Sequence, residues 1–116
     1  LIATGGSPKE SGFNWIRELG HTIKTPVPSL FTFNLPKEPI TKLMGLAVET
    51  AKVKIKGFGI ETKGPLLVTH WGFSGPAILL ASSFGARKLA ESNYQFEKPF
   101  LWLLKQGVRL LFLTFG

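Results

Sequence analysis

The clearest alternation of apolar and polar positions lies over residues 46–56, where Lys52, Lys54 and Lys56 interleave with Val53 and Ile55. A period of two places successive side chains on opposite faces, so this stretch predicts a strand with one buried and one solvated face. Gly57-Phe58-Gly59 supplies a turn and residues 60–63 a short partner strand, after which Gly64-Pro65 predicts a break. Residues 66–69 read as a further buried strand. Residues 21–34 contain Pro26 and Pro28, then alternate through Leu30, Phe31 and Phe33. That pattern predicts extended chain, with the prolines at a strand start or edge. Residues 35–39 read as a loop, and residues 40–44 as one helical turn ended by Gly45. Short strands separated by turn signals at this spacing predict a small antiparallel sheet or barrel, hence an α+β class once helices are added.

Two stretches carry helical signals. Ser7 as N-cap, Pro8 at the first helical position and Glu10 closing a Ser-x-x-Glu capping box predict a helix stopped by Gly20. Phe13, Ile16 and Leu19 give its apolar stripe, while Gly12 weakens it. Residues 75–91 predict a longer helix, with Ser74 as N-cap and Pro76 in the first turn. Its apolar side gathers Ile78, Leu79, Ser82, Ala86 and Leu89, and Arg87-Lys88 near its end complements the helix dipole. Ahead of both, residues 1–4 read as the end of a buried strand running into Gly5-Gly6. Residues 94–96 predict the opening of another strand. The tail beyond residue 97 fits either a strand pair around Gly107 or an amphipathic basic helix.

Composition narrows the function classes. The chain has 116 residues, the size of one small domain or a piece of a larger one, and begins at Leu1 without a methionine. A strand end at residue 1 predicts an excised segment. Ten Phe and three Trp suffice for a core. The absence of Cys removes disulfides, thiolate metal sites and cysteine nucleophiles, and fits a cytoplasmic location. Fourteen Lys+Arg face seven Glu, with no Asp, for a formal charge of +7. A basic balance raises an alternative, a small basic β-rich binding module that contacts an anionic polymer or membrane surface through Lys52, Lys54, Lys56 and the basic tail. The other basic residues are scattered, and RNA-reading and zinc-finger signatures are absent, so no specific nucleic acid is expected. The apolar run at 100–115 is interrupted by Lys105, Gln106 and Arg109 and is shorter than the roughly 20 residues a spanning helix needs.

The densest cluster of special residues is Thr-His-Trp-Gly-Phe-Ser-Gly-Pro-Ala-Ile-Leu at 69–79. It predicts a specified strand–turn–helix junction. Gly72-Phe73-Ser74-Gly75-Pro76 departs from a serine nucleophile elbow, because Pro76 stands where the second glycine is needed and no Asp exists to orient a base. Ser74 therefore reads as a cap. His21 and His70 are the only histidines, and no spacing joins them to a carboxylate as a metal site. His70 reads as a hydrogen-bonded structural residue and His21 as a partner of the first helix's C-terminus. Thr4-Gly5-Gly6 could approach a ligand through backbone N–H groups. No G-x-G-x-x-G or P-loop is present, so no complete phosphate cradle is encoded.

In order and spacing, Ala-Thr-Gly-Gly-Ser at 3–7, Leu-Gly-His-Thr-Ile at 19–23, Pro-Val-Pro-Ser-Leu at 26–30 and the 69–79 motif resemble the BaiN/RdsA-type NAD(P)/FAD-dependent oxidoreductases. The resemblance covers about residues 1–95. It implies a Rossmann-like FAD domain interrupted by an insert with a small β-barrel and a helical part. Residues 1–20 would then end an FAD-domain segment, residues 21–97 would form most of the insert, and residues 98–116 match nothing expected of the family. Thr4, Gly5 and Gly6 would lie near the flavin dinucleotide. Thr69, His70, Gly72, Ser74, Gly75 and Pro76 would face the substrate side. FAD, with NAD(P) as hydride partner, would belong to the intact parent. The partners implied are the remainder of that parent and a small organic substrate. The catalytic residues are left open. Where many relatives carry Gly-Ser/Thr-Gly-Asp-Gly, this chain has Pro-Lys-Glu-Ser-Gly, as in a compact subgroup.

Overall fold

A β-strand survives only where its backbone finds a neighbour, and the stretch with the strictest alternation finds two. A computed structural model describes residue 1, residues 3–95 and, by backbone alone, residues 100–105 and 108–111. Among these, strands β1 (Phe33–Asn34), β2 (Ala47–Ile55), β3 (Ile60–Val68), β4 (Gly72–Ser74), β5 (Phe100–Lys105) and β6 (Val108–Leu111) form one sheet in the order β1-β4-β3-β2-β5-β6. Every pairing is antiparallel. The helices are α1 (Asn14–Glu18) and α2 (Pro76–Glu91), giving the expected α+β class with an antiparallel, barrel-like sheet. No helix among the described residues is long and apolar enough to cross a membrane.

The core lies between α2 and one face of β2, β3 and β4. Ala51, Val53, Ile55, Leu66 and Val68 fill it from the sheet, and Ala77, Ile78, Ala81 and Leu89 from the helix. Burying each large apolar side chain contributes about 1.5–3 kcal/mol. Small residues on the helix let it lie close to the strands. Two hydroxyls are buried there with partners: Thr62 Oγ1 donates to the Ala77 carbonyl at 2.7 Å, and Ser82 Oγ donates to the Leu79 carbonyl at 2.9 Å. Ser82 Oγ also accepts the Phe31 N–H at 3.0 Å, tying the chain before β1 to the helix. The Phe31 ring meets Tyr94 edge to face at 5.7 Å. Leu79, placed on the apolar side by its spacing, is only half-buried.

Several expectations change. β3 runs straight through Gly64-Pro65 instead of breaking there. The register moves from Val48↔Leu66 to Ala51↔Gly64, so two residues of β2 oppose Pro65 alone. This bulge is a place where a strand accommodates a proline that has no N–H to give. The capping box at Ser7 does not form. Ser7 Oγ donates to the Lys9 carbonyl at 2.8 Å and accepts the Lys9 N–H at 3.2 Å, while Glu10 pairs with Arg17 at 2.7 Å. The helix consequently begins as a 3₁₀ turn over Glu10–Phe13 and becomes α-helical only in α1. Gly12 has a positive reason to be glycine: a Cβ there would overlap the Ser7 side chain. The described residues of 1–4 pair with no strand, and Gly5 and Gly6 turn in open coil at φ 73° and 79°. His21–Ile16 is closed by the backbone alone, His21 N–H donating to the Ile16 carbonyl at 3.3 Å.

Residues 40–44 form the expected short turn, seen as a 3₁₀ helix at Pro39–Leu43. Tyr94 does not open a strand. Its N–H donates to the Leu89 carbonyl at 2.7 Å and closes α2, with φ 59°. Phe96 lies outside the described residues. In the tail, β5 and β6 pair through Trp102↔Leu111 and Lys105↔Val108, so the strand pair forms and the helix does not.

Candidate functional site

The 69–79 motif contains an element its glycines conceal. β3 does not hand directly to the helix: a tight hairpin turns the chain back as β4, and α2 leaves from there. Thr69 N–H donates to the Gly72 carbonyl at 2.8 Å. The Thr69 hydroxyl both donates to that carbonyl, at 3.0 Å, and accepts the Gly72 N–H, at 3.1 Å. His70 and Trp71 are thus the two residues at the tip. Their rings meet edge to face at 4.4 Å. Both are exposed, Trp71 at 43 %.

Gly72 and Gly75 are required by close backbone approach. A Cβ at Gly72, whose φ is 148°, would overlap the Phe33 carbonyl and lie 2.9 Å from Leu35 N. β1 can therefore pair with β4, with Leu35 N–H donating to the Trp71 carbonyl at 2.7 Å. A Cβ at Gly75, φ 99°, would sit 3.0–3.1 Å from the backbone of residues 65–67. Gly75 is itself the N-cap of α2, its carbonyl accepting the Ile78 and Leu79 N–H groups at 3.0 Å, and Pro76 follows at the first helical position. Ser74 does not cap the helix by its side chain. It is the last residue of β4, opposite Leu67. No hydrogen bond joins Ser74 to His70 among the described residues. The hairpin therefore brings Thr69, His70, Gly72, Ser74, Gly75 and Pro76 together as a scaffold, and it assembles no nucleophile and base.

Thr4, Gly5 and Gly6 stand apart. They are exposed, and nothing lies within 4 Å of where a Cβ would sit on either glycine. A dinucleotide cradle needs a glycine turn opening directly onto a helix N-terminus. Here the helix after the glycines begins as a 3₁₀ turn, and α1 starts only at Asn14. The described residues therefore do not fit FAD by themselves. No group of His, Cys, Asp and Glu among them could hold a metal ion.

The charged face of the sheet is better built than its sequence suggested. In the regular register ahead of the bulge, Glu61 and Lys63 stand on it beside Lys52 and Lys54. Lys52 faces Lys63 and Lys54 faces Glu61 in register. Lys52 Nζ reaches diagonally to Glu61 Oε1 at 2.7 Å. The Lys52 hydrogen bond holds the Glu61 carboxyl below its ordinary value against desolvation, and the Lys52 and Lys54 charges add to the lowering. Sequence reading placed Lys63 in the short strand at 60–63 but did not set it beside the lysines of β2. The alternation Ile60-Glu61-Thr62-Lys63 was the available signal.

Comparison with known proteins agrees with this architecture. The sequence model of the family described as "HI0933-like protein barrel and H2TH domain" matches residues 27–97, which hold β1 to β4 and α2. Among curated proteins, the 3-dehydro-bile acid delta(4,6)-reductase of Clostridium scindens is 27% identical over 101 residues, covering 80% of this chain and 25% of that protein. The chain thus spans about a quarter of the length of the curated relative it matches.

Proposed function

The chain belongs to the HI0933-like barrel and H2TH family, and from that premise we propose that it is the barrel-and-helix part of a larger, cytoplasmic flavin-dependent oxidoreductase. The family match across β1 to β4 and α2 carries this reading, and the matched relative's being a reductase supports it. Residues 21–97 form the insert domain. Residues 1–20 belong to the end of the flavin domain. In support, none of the described residues of that stretch is buried, while the buried core begins at Phe33.

FAD, held by the rest of the longer polypeptide, supplies hydride transfer between a nicotinamide and a small organic substrate. Thr4, Gly5 and Gly6 complete the flavin's surroundings only when that remainder is present. The positive φ of Gly5 and Gly6 and the open space around them leave backbone N–H groups free to approach it. The His70–Trp71 tip faces the substrate side and helps exclude water there. Gly72 and Gly75 fix its position and take no part in chemistry.

The test uses the polypeptide encoded by the whole reading frame that contains this chain. Anaerobic mixing with NADH or NADPH should bleach a bound flavin, and a conjugated enone should restore its colour. Flavin that neither nicotinamide reduces would refute the hydride route.

A further inference from the structure

The solvent face of β2 and β3 holds an arrangement that the fold itself does not use. Val53, Ile55 and Thr62 are buried on the inner face, which turns Lys52, Lys54 and Lys63 outward. Lys52 and Lys63 are directly opposite on antiparallel strands. Like charges so placed work against the ladder. Glu61 offsets one of them by its ion pair with Lys52. No ion pair among the described residues holds Lys63 or Lys54.

We propose that Lys52 and Lys63 bind a phosphate-bearing anion on this face, a phosphate or diphosphate that is free or carried by a nucleotide. Opposite positions on paired strands bring Cβ atoms to about 5 Å, so two flexible lysine stems converge on one phosphoryl group. A phosphoryl oxygen set accepts charge-assisted hydrogen bonds from both ammonium groups and turns their repulsion into a shared contact. Glu61 is the internal competitor. It occupies Lys52 when the anion is absent, and Lys52 exchanges one partner for the other on binding. Lys54, opposite Glu61, adds positive potential beside the pair. This surface does not depend on the oxidoreductase reading, so either can fail alone.

Isothermal titration of the 116-residue chain with inorganic pyrophosphate at low salt tests the proposal. Saturable binding is expected. Lys63→Gln should weaken it about fivefold, and Glu61→Gln should tighten it about threefold, the scale of an exposed charge pair. Lys24→Gln, a lysine in the segment before β1, should leave it unchanged. Far-UV circular dichroism checks that the variants keep the fold. NADP⁺ binding more tightly than pyrophosphate identifies a dinucleotide as the source, and equal binding identifies the phosphate alone. Absence of saturable binding at low salt, or equal affinity in Lys63→Gln and the parent chain, overturns the site.

Discussion

Replacing Gly72 by Ala tests whether the hairpin is a scaffold set by backbone approach. The new Cβ would overlap the Phe33 carbonyl and lie 2.9 Å from Leu35 N. Both are backbone atoms, so neither can swing aside as a side chain would. Holding an L-residue at φ 148° adds strain of its own. That strain costs about 1–3 kcal/mol. Relief of the clash requires β1 to withdraw, breaking the Leu35 to Trp71 hydrogen bond and the pairing of Phe33 with Phe73. Each net hydrogen bond lost costs about 0.5–1.5 kcal/mol. With two such bonds lost the sum is about 2–6 kcal/mol, a large share of the 5–15 kcal/mol typical of a whole domain. Urea unfolding followed by far-UV circular dichroism should show a midpoint lowered by about 2 M at an ordinary slope. Gly5→Ala is the control, with a positive φ but open space around it. It should cost about 1 kcal/mol at most, because the segment packs against nothing. A Gly72→Ala chain within about 0.5 kcal/mol of the parent, or no worse than Gly5→Ala, would refute the reasoning.

Other consequences are smaller. Ser82→Ala removes the acceptor of the Phe31 N–H at a fully buried site and should cost about 1–2 kcal/mol in the same unfolding assay. Ser74→Ala should cost under about 0.5 kcal/mol. A loss near 1 kcal/mol would show that Ser74 caps α2 after all. Lys52→Gln should raise the Glu61 pKa, read by NMR titration of its carboxyl carbon. With Lys52 present the folded pKa lies below the ordinary 4.5, so this pair's contribution is complete above that value and fades as pH falls through the lower folded one.

Periodicity made the sheet legible where one face is wet. Lys52 and Lys54 against Val53 and Ile55 alternate on opposite faces of β2 as their spacing predicts, and Lys56 falls just past the strand, in the turn. The helix at 75–91 was equally plain. What the sequence hid was tertiary in origin. Gly64-Pro65 signals a break locally, yet a bulge in the neighbouring strand absorbs it. Ser7 and Ser74 have capping chemistry, but Ser7 closes a turn with Lys9 and Ser74 is drawn into a ladder with Leu67. β4 is three residues long, begins at Gly72 and is followed by Gly75, so its pattern carries no period at all. The candidate site was legible as a motif and not as geometry. The glycines at 72 and 75, legible as parts of a turn, admit β1 and the β3 backbone.

The central claim is that this chain supplies the scaffold while the flavin is held elsewhere in a longer oxidoreductase. The most direct measurement is the flavin content, by visible absorbance after gel filtration with added FAD, of two samples: the 116-residue chain and the whole-reading-frame polypeptide. The chain should come out colourless and the longer polypeptide yellow, with one flavin per molecule. A chain that retains stoichiometric flavin, or a longer polypeptide that retains none, would contradict that claim.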